Sequence, residues 1–235
     1  MSLNECNYDS NISSKGVQIA EYLVSIVNGD LESVVAFYNE NGYIKDALTL
    51  FYEPEESFGE DFCLDDKLQK KINEIAEYDY FYTPMYLACI NNHIDIVKFF
   101  VEVAQISVNE EPISESSLNP LQGAVAYSNI EIAKFLISKG ADVNAQNLWG
   151  TNPLQLALDY NNVELALLLL DLGADPSLES QEGSCVTFAQ ILDNKDILQK
   201  IQQKLLENLE KATINNHSET VQDLLKLIEQ LQNDC

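Results

Sequence analysis

Cys89 and His93, four residues apart, are the sequence's nearest approach to a nucleophile and its base. His217 is the only other histidine, so a histidine-based metal site lacks ligands. Acids gather at Glu53, Glu55, Glu56, Glu60, Asp61, Asp65 and Asp66, but the alternating D-x-D-x-D-G spacing of a calcium loop is absent. A solvated acidic loop accounts for them. There is no G-x-S-x-G elbow, no phosphate-binding glycine loop and no H-E-x-x-H pair. The five cysteines (Cys6, Cys63, Cys89, Cys185, Cys235) are scattered and odd in number, without a C-x-x-C. That is the usage of reduced thiols, not of a disulfide framework or a zinc site. No catalytic residue, cofactor or metal is expected, and the chain does not read as an enzyme.

The elements around Cys89 and His93 explain both residues more simply. Four segments align: Thr83-Pro84-Met85-Tyr86-Leu87-Ala88, Asn119-Pro120-Leu121-Gln122-Gly123-Ala124, Asn152-Pro153-Leu154-Gln155-Leu156-Ala157 and Ser184-Cys185-Val186-Thr187-Phe188-Ala189. Pro120 and Pro153 are 33 residues apart, Pro84 and Pro120 are 36, and Pro153 and Cys185 are 32. Each segment opens with Thr, Asn or Ser, which accept hydrogen bonds from the unpaired amides of a first helical turn. Three then place Pro where its missing N–H is harmless. These are helix starts. An acid follows seven residues beyond each alanine (Asp95, Glu131, Glu164, Asp196) and leads an apolar run, as in the first turn of a second helix. Asn92, Ser128, Asn161 and Asn194 are assigned to the tight turns between the helices, and Gly140 and Gly173 to the end of the second helix.

These motifs resemble the ankyrin repeat, whose T-P-L-H-x-A, G-H-x-E-I-V and G-A-D-V-N are visible as Thr83-Pro84, as Asn92-His93-Ile94-Asp95-Ile96-Val97 and as Gly140-Ala141-Asp142-Val143-Asn144. The resemblance covers about residues 79 to 201. It implies an all-α solenoid of helix-turn-helix units with projecting hairpin fingers, and it makes Cys89 a small buried residue and His93 the turn histidine. The histidine of T-P-L-H is replaced by Tyr86, Gln122, Gln155 and Thr187, so its hydrogen bonds between repeats must be made differently. Residues 1–78 read as a helical extension with a degenerate repeat over 16 to 42 and the acidic loop. Residues 202–235 read as capping helices, with Leu224, Leu225, Ile228 and Leu231 as an amphipathic stripe.

Thirteen lysines, no arginine and 38 acids give a formal net charge of -25. Such a surface repels phosphate backbones and anionic lipid, so neither nucleic acid nor membrane is expected as a partner. The expected partner is another protein, basic in character, met by a monomer in the cytoplasm. What the resemblance implies about location is binding through the concave face and the finger loops, by finger tips and the exposed positions of first helices, whose aromatics Trp149, Tyr127 and Tyr160 are expected with Leu148 to form one cluster. It singles out Leu148 and Trp149 on a finger, Tyr127, Asp159 and Tyr160 on first helices, and Tyr80, Tyr82 and Tyr86 at the entry to the first clear repeat. The function expected is a protein-binding module. Narrower versions are an immunity-type inhibitor masking a basic toxin, or a pathogen effector, secreted into a host cell, that recruits a host protein.

Overall fold

The computed structural model describes residues 10–51, 57, 64–76, 82–114, 118–215 and 217–233. Among them are twelve α-helices and one pair of two-residue strands. The chain divides into two compact units, Met1–Pro120 and Leu121–Cys235.

In the first unit α1 (Ser10–Asn28) and α2 (Leu31–Asn41) form a helical hairpin, and α3 (Asp66–Ile75) lies against α1. A second hairpin follows, α4 (Pro84–Ile90) and α5 (Ile94–Lys98), which widens into a π turn over Phe99–Val103. First helix packs on first and second on second, α1 on α4 and α2 on α5. Ile19, Leu23 and Ile26 recur at helical spacing on α1 and are buried. Gly29 turns the first hairpin at φ +76°, and a Cβ there would lie 2.6 Å from His93 Nδ1, so the turn admits glycine alone. The same imidazole donates from Nε2 to the Val27 carbonyl at 2.7 Å, tying the two hairpins together. Asp65 is not loop: it caps α3, accepting the Leu68 N–H at 2.8 Å, and Asp66 is that helix's first residue. The acids at Glu53, Glu55, Glu56, Glu60 and Asp61 lie outside the described residues.

The second unit holds α6 (Pro120–Ala126) from Leu121 onward with α7 (Ile130–Ser138), then α8 (Pro153–Asp159) with α9 (Val163–Asp171). The strands β1 (Glu179–Ser180) and β2 (Gly183–Ser184) lead into α10 (Cys185–Leu192), α11 (Lys195–Ile214) and α12 (Ser218–Asn233). Ser128 and Asn161 take left-handed φ values of 60° and 54° in the inter-helix turns. In the last repeat that residue is Asp193 (φ 47°), not Asn194. Asn194 sits one place on and caps α11, accepting the Asp196 and Ile197 N–H groups at 3.1 Å. Gly140 and Gly173, at φ 93° and 102°, close their helices. After Gly140 the Ala141 N–H returns to the Leu136 carbonyl at 3.0 Å.

A division of the chain at 201–202 falls inside α11, which runs unbroken from the last repeat into the cap. On α12 the buried residues are Leu224, Leu227, Ile228 and Leu231. Leu225, expected in that stripe, is 44 % exposed, because one residue along a helix is a 100° rotation from Leu224, whereas Leu227 falls back on the same face.

Candidate partner-binding surface

Two buried glutamines hold the fingers of the second unit in place. Gln122 is 1 % exposed and donates from Nε2 to the carbonyls of Ala145 (3.0 Å) and Thr151 (2.9 Å), the two legs of the following finger. Gln155 donates to the Gly183 carbonyl of the next finger at 2.9 Å, and its Oε1 accepts the Asn152 N–H at 3.0 Å. An amide offers a donor and an acceptor in the plane where a neutral imidazole offers the same pair. Adjacent fingers are also laced directly: Asp175 N–H donates to Asn144 Oδ1 (2.8 Å), and Gln146 donates to the Glu179 carbonyl (3.0 Å).

Upon this frame stand the exposed side chains. Leu148 and Trp149 crown the finger that precedes α8, 59 % and 42 % exposed. Gly150 (φ +79°) makes the tip, where a Cβ would lie 2.9 Å from the Glu179 carbonyl. The Trp149 backbone is pinned on both sides, its N–H to Asn147 Oδ1 (3.1 Å) and its carbonyl to the Gln181 N–H (2.8 Å). Tyr127 and Tyr160 each lie seven residues beyond the helix-opening proline, are 52 % and 57 % exposed, and are joined by exposed Asp159. Tyr160 stands at the far end of α8 from the finger, across about 10 Å of helix for its seven residues. The expected aromatic cluster is therefore two patches, a finger tip and a turn-side row. Sequence reasoning missed a member of that row, Ile191, which is 76 % exposed at the register of Asp159 in the last repeat.

Of the residues singled out in the first unit, the two that are described do not stand exposed. Tyr86 is 5 % exposed, stacked on half-buried Tyr82 with centroids 4.9 Å apart, and Tyr80 lies outside the described residues. Tyr86 occupies the register of buried Gln122 and Gln155, so its ring is core. Cys89 is wholly buried and burial pushes its thiol far up, the opposite of an activated nucleophile. Burial pushes the Cys185 thiol up to about 12. Among the described residues no group of three His, Cys, Asp or Glu side chains converges as metal ligands would, and no helix is long and apolar enough to cross a membrane.

A family model described as ankyrin repeats (3 copies) matches residues 25–147 and, overlapping them, 114–180. The chain belongs to the ankyrin-repeat family. Ankyrin repeats are protein–protein interaction modules, typically without catalysis of their own. The chain is 40 % identical over 63 residues to alpha-latrocrustotoxin-Lt1a of Latrodectus tredecimguttatus, covering 27 % of this chain and 4 % of the toxin. It is 34 % identical over 71 residues to protein fem-1 homolog CG6966 of Drosophila melanogaster (27 % and 10 %). To ankyrin repeat and SOCS box protein 11 of Mus musculus it is 33 % identical over 88 residues (37 % and 26 %). The chain thus spans about a quarter, or less, of these relatives' lengths, and the likeness is one of repeats. In ankyrin terms, Gln122 and Gln155 stand where the T-P-L-H histidine stands and carry its finger-holding bonds.

Proposed function

We propose that this ankyrin chain is a binding scaffold that holds a basic protein segment against the turn-side row of its second unit. The observation that carries the reading is the recurrence of Tyr127 and Tyr160 at one register, both more than half exposed on helices whose inner faces are fully buried. Tyrosine in that setting offers a large rigid contact area with a polar end. Asp159 beside Tyr160, and Glu131, Glu164 and Asp196 in the first turns of the second helices, are all exposed and give the row its negative surround. Leu148 and Trp149 supply a second contact at the finger tip. The scaffold acts as a cytoplasmic monomer, in a compartment that keeps its thiols reduced.

The test is to recover the partner by pull-down from native cell lysate and to titrate it against the wild-type chain, the Tyr127→Ala/Tyr160→Ala pair and an exposed control, Lys134→Ala, on the neighbouring helix. Each tyrosine at the centre of an interface carries on the order of 1–2 kcal/mol, so the pair should weaken binding by at least roughly thirtyfold. Full affinity in the double variant would move the interface elsewhere on the protein.

A further inference from the structure

The first unit encloses a carboxyl group that the repeat pattern has no place for. Glu110 lies in the loop after the π turn, yet it is only 7 % exposed. Tyr43 donates its phenol proton to Glu110 Oε2 at 3.0 Å, and the same phenol oxygen accepts the Met85 N–H at 3.1 Å. Thr83 also bonds the carboxyl group, while its Oγ1 accepts the Tyr86 N–H at 3.1 Å and so caps α4. A single loop side chain is thereby joined to the cap of α4 and, through Tyr43, to its first turn. The other groups facing it are Tyr22 from α1, Cys89 from α4 and the exposed Lys45. The Tyr22 hydroxyl is buried without a partner, although within electrostatic reach of Glu110. Among the described residues the site is lined by hydroxyls and a thiol, with no buried cation. Burial without a cation disfavours the carboxylate, and the two hydroxyls that donate to it offset this only in part.

We propose that Glu110 is a proton-operated latch: neutral, it stays inserted and fastens the 105–114 loop to the start of α4, and on losing its proton to solvent it withdraws and frees that loop. Burial raises the pKa of Glu110, against the smaller opposing pull of Thr83, Tyr43 and Lys45. The closed state therefore binds the proton more tightly than the open one, and acid closes the latch. Between the ordinary glutamate value of about 4.3 and the closed-state value, the opening equilibrium should rise up to about tenfold per pH unit, then level off.

Hydrogen exchange of the full chain from pH 4 to 8, corrected for intrinsic rates, reads this directly. Protection of residues 105–112 and 83–90 should fall with rising pH relative to the finger at 142–151, and Glu110→Gln should remove the pH dependence. A flat wild-type trace, or the same slope in Glu110→Gln, overturns the latch. A carboxyl-carbon NMR titration of the unaltered protein provides a reading that does not depend on how the variant folds. Glu110 should titrate above about 4.3, and a midpoint at or below that value overturns the proposal equally.

Discussion

Replacing Gln155 by leucine would show whether the fingers hang from the helices by the two amide bonds described above. Leucine keeps the volume and the burial of this 1 % exposed side chain, so the packing change is small. What it removes is the acceptor of the buried Asn152 N–H (3.0 Å), which is left unsatisfied, and the donor to the Gly183 carbonyl (2.9 Å), which keeps the Ser180 hydroxyl at 3.0 Å. The buried orphan costs about 1–3 kcal/mol, the lost bond to the carbonyl about 1 kcal/mol, and the added apolar burial returns about 1 kcal/mol. The net loss is about 1–3 kcal/mol. For a unit of roughly 115 residues, an unfolding entropy of about 2.1 cal/mol/K per residue makes that a drop of roughly 4–12 °C in melting temperature. Circular-dichroism melts of the full chain measure it, with Gln203→Leu on the exposed face of α11 as the control, expected within about 0.5 kcal/mol of wild type. Gln155→His should recover much of the loss, because a neutral imidazole offers one donor and one acceptor. A melting temperature for Gln155→Leu within about 1 °C of wild type would refute the reasoning, since the fingers would then be held by their direct lacing alone.

Other outcomes follow from the exposed surface and the cap. Trp149→Ala should weaken partner binding by about 2 kcal/mol, roughly thirtyfold, while the melting temperature moves little, because the residue is 42 % exposed and its backbone bonds survive; a large melting shift with intact affinity would make the ring part of the finger's packing. If the acidic surface steers a basic partner, on-rates measured by stopped flow should fall steeply as salt rises past physiological strength, where the screening length is about 8 Å, and flat on-rates would leave the charge to solubility. Removing residues 216–235 uncovers the α11 face that α12 packs on, so size-exclusion chromatography should find aggregates; an unchanged monomer would deny α12 a capping role.

The helix starts were legible because Thr83, Asn119, Asn152 and Ser184 sit immediately before Pro or its substitute, and few other contexts place a capping oxygen there. The slip between Asp193 and Asn194 has a definite source. Both residue types tolerate a left-handed turn and both cap helices, so composition cannot order them; only counting eight residues from Cys185, as from Pro153 to Asn161, does. Counting in the same way would have put Tyr86 inside, level with Gln122 and Gln155, and Ile191 outside, level with Asp159. Chemical type misled in both cases, a tyrosine suggesting surface and an isoleucine suggesting core. The outward tyrosines were legible because the register, and not their type alone, picked them.

Glu110 was not legible at all. It is one of two adjacent acids in a polar loop, and its burial depends on Tyr43, sixty-seven residues away, and on Thr83. No spacing rule links three such positions. Yet the chemistry of that contact separates the two units. The fingers of the second unit are held by amides, which do not titrate, whereas the first unit fastens a loop with a carboxyl group. Because the folded pKa of Glu110 is raised, its contribution favours folding most below about pH 4.3 and is lost as pH climbs towards the folded value. Asp30 has the opposite sign: the Ser33 hydroxyl lowers its pKa, so its contribution is lost only as pH falls below about 3.9. Glu207, lowered by Lys204, likewise matters only below about 4.3. The windows do not overlap. Between about pH 4.3 and the alkaline range in which the buried thiols and phenols would titrate, the latch is therefore the resolved source of pH dependence, and it lies in the unit that does not carry the turn-side row.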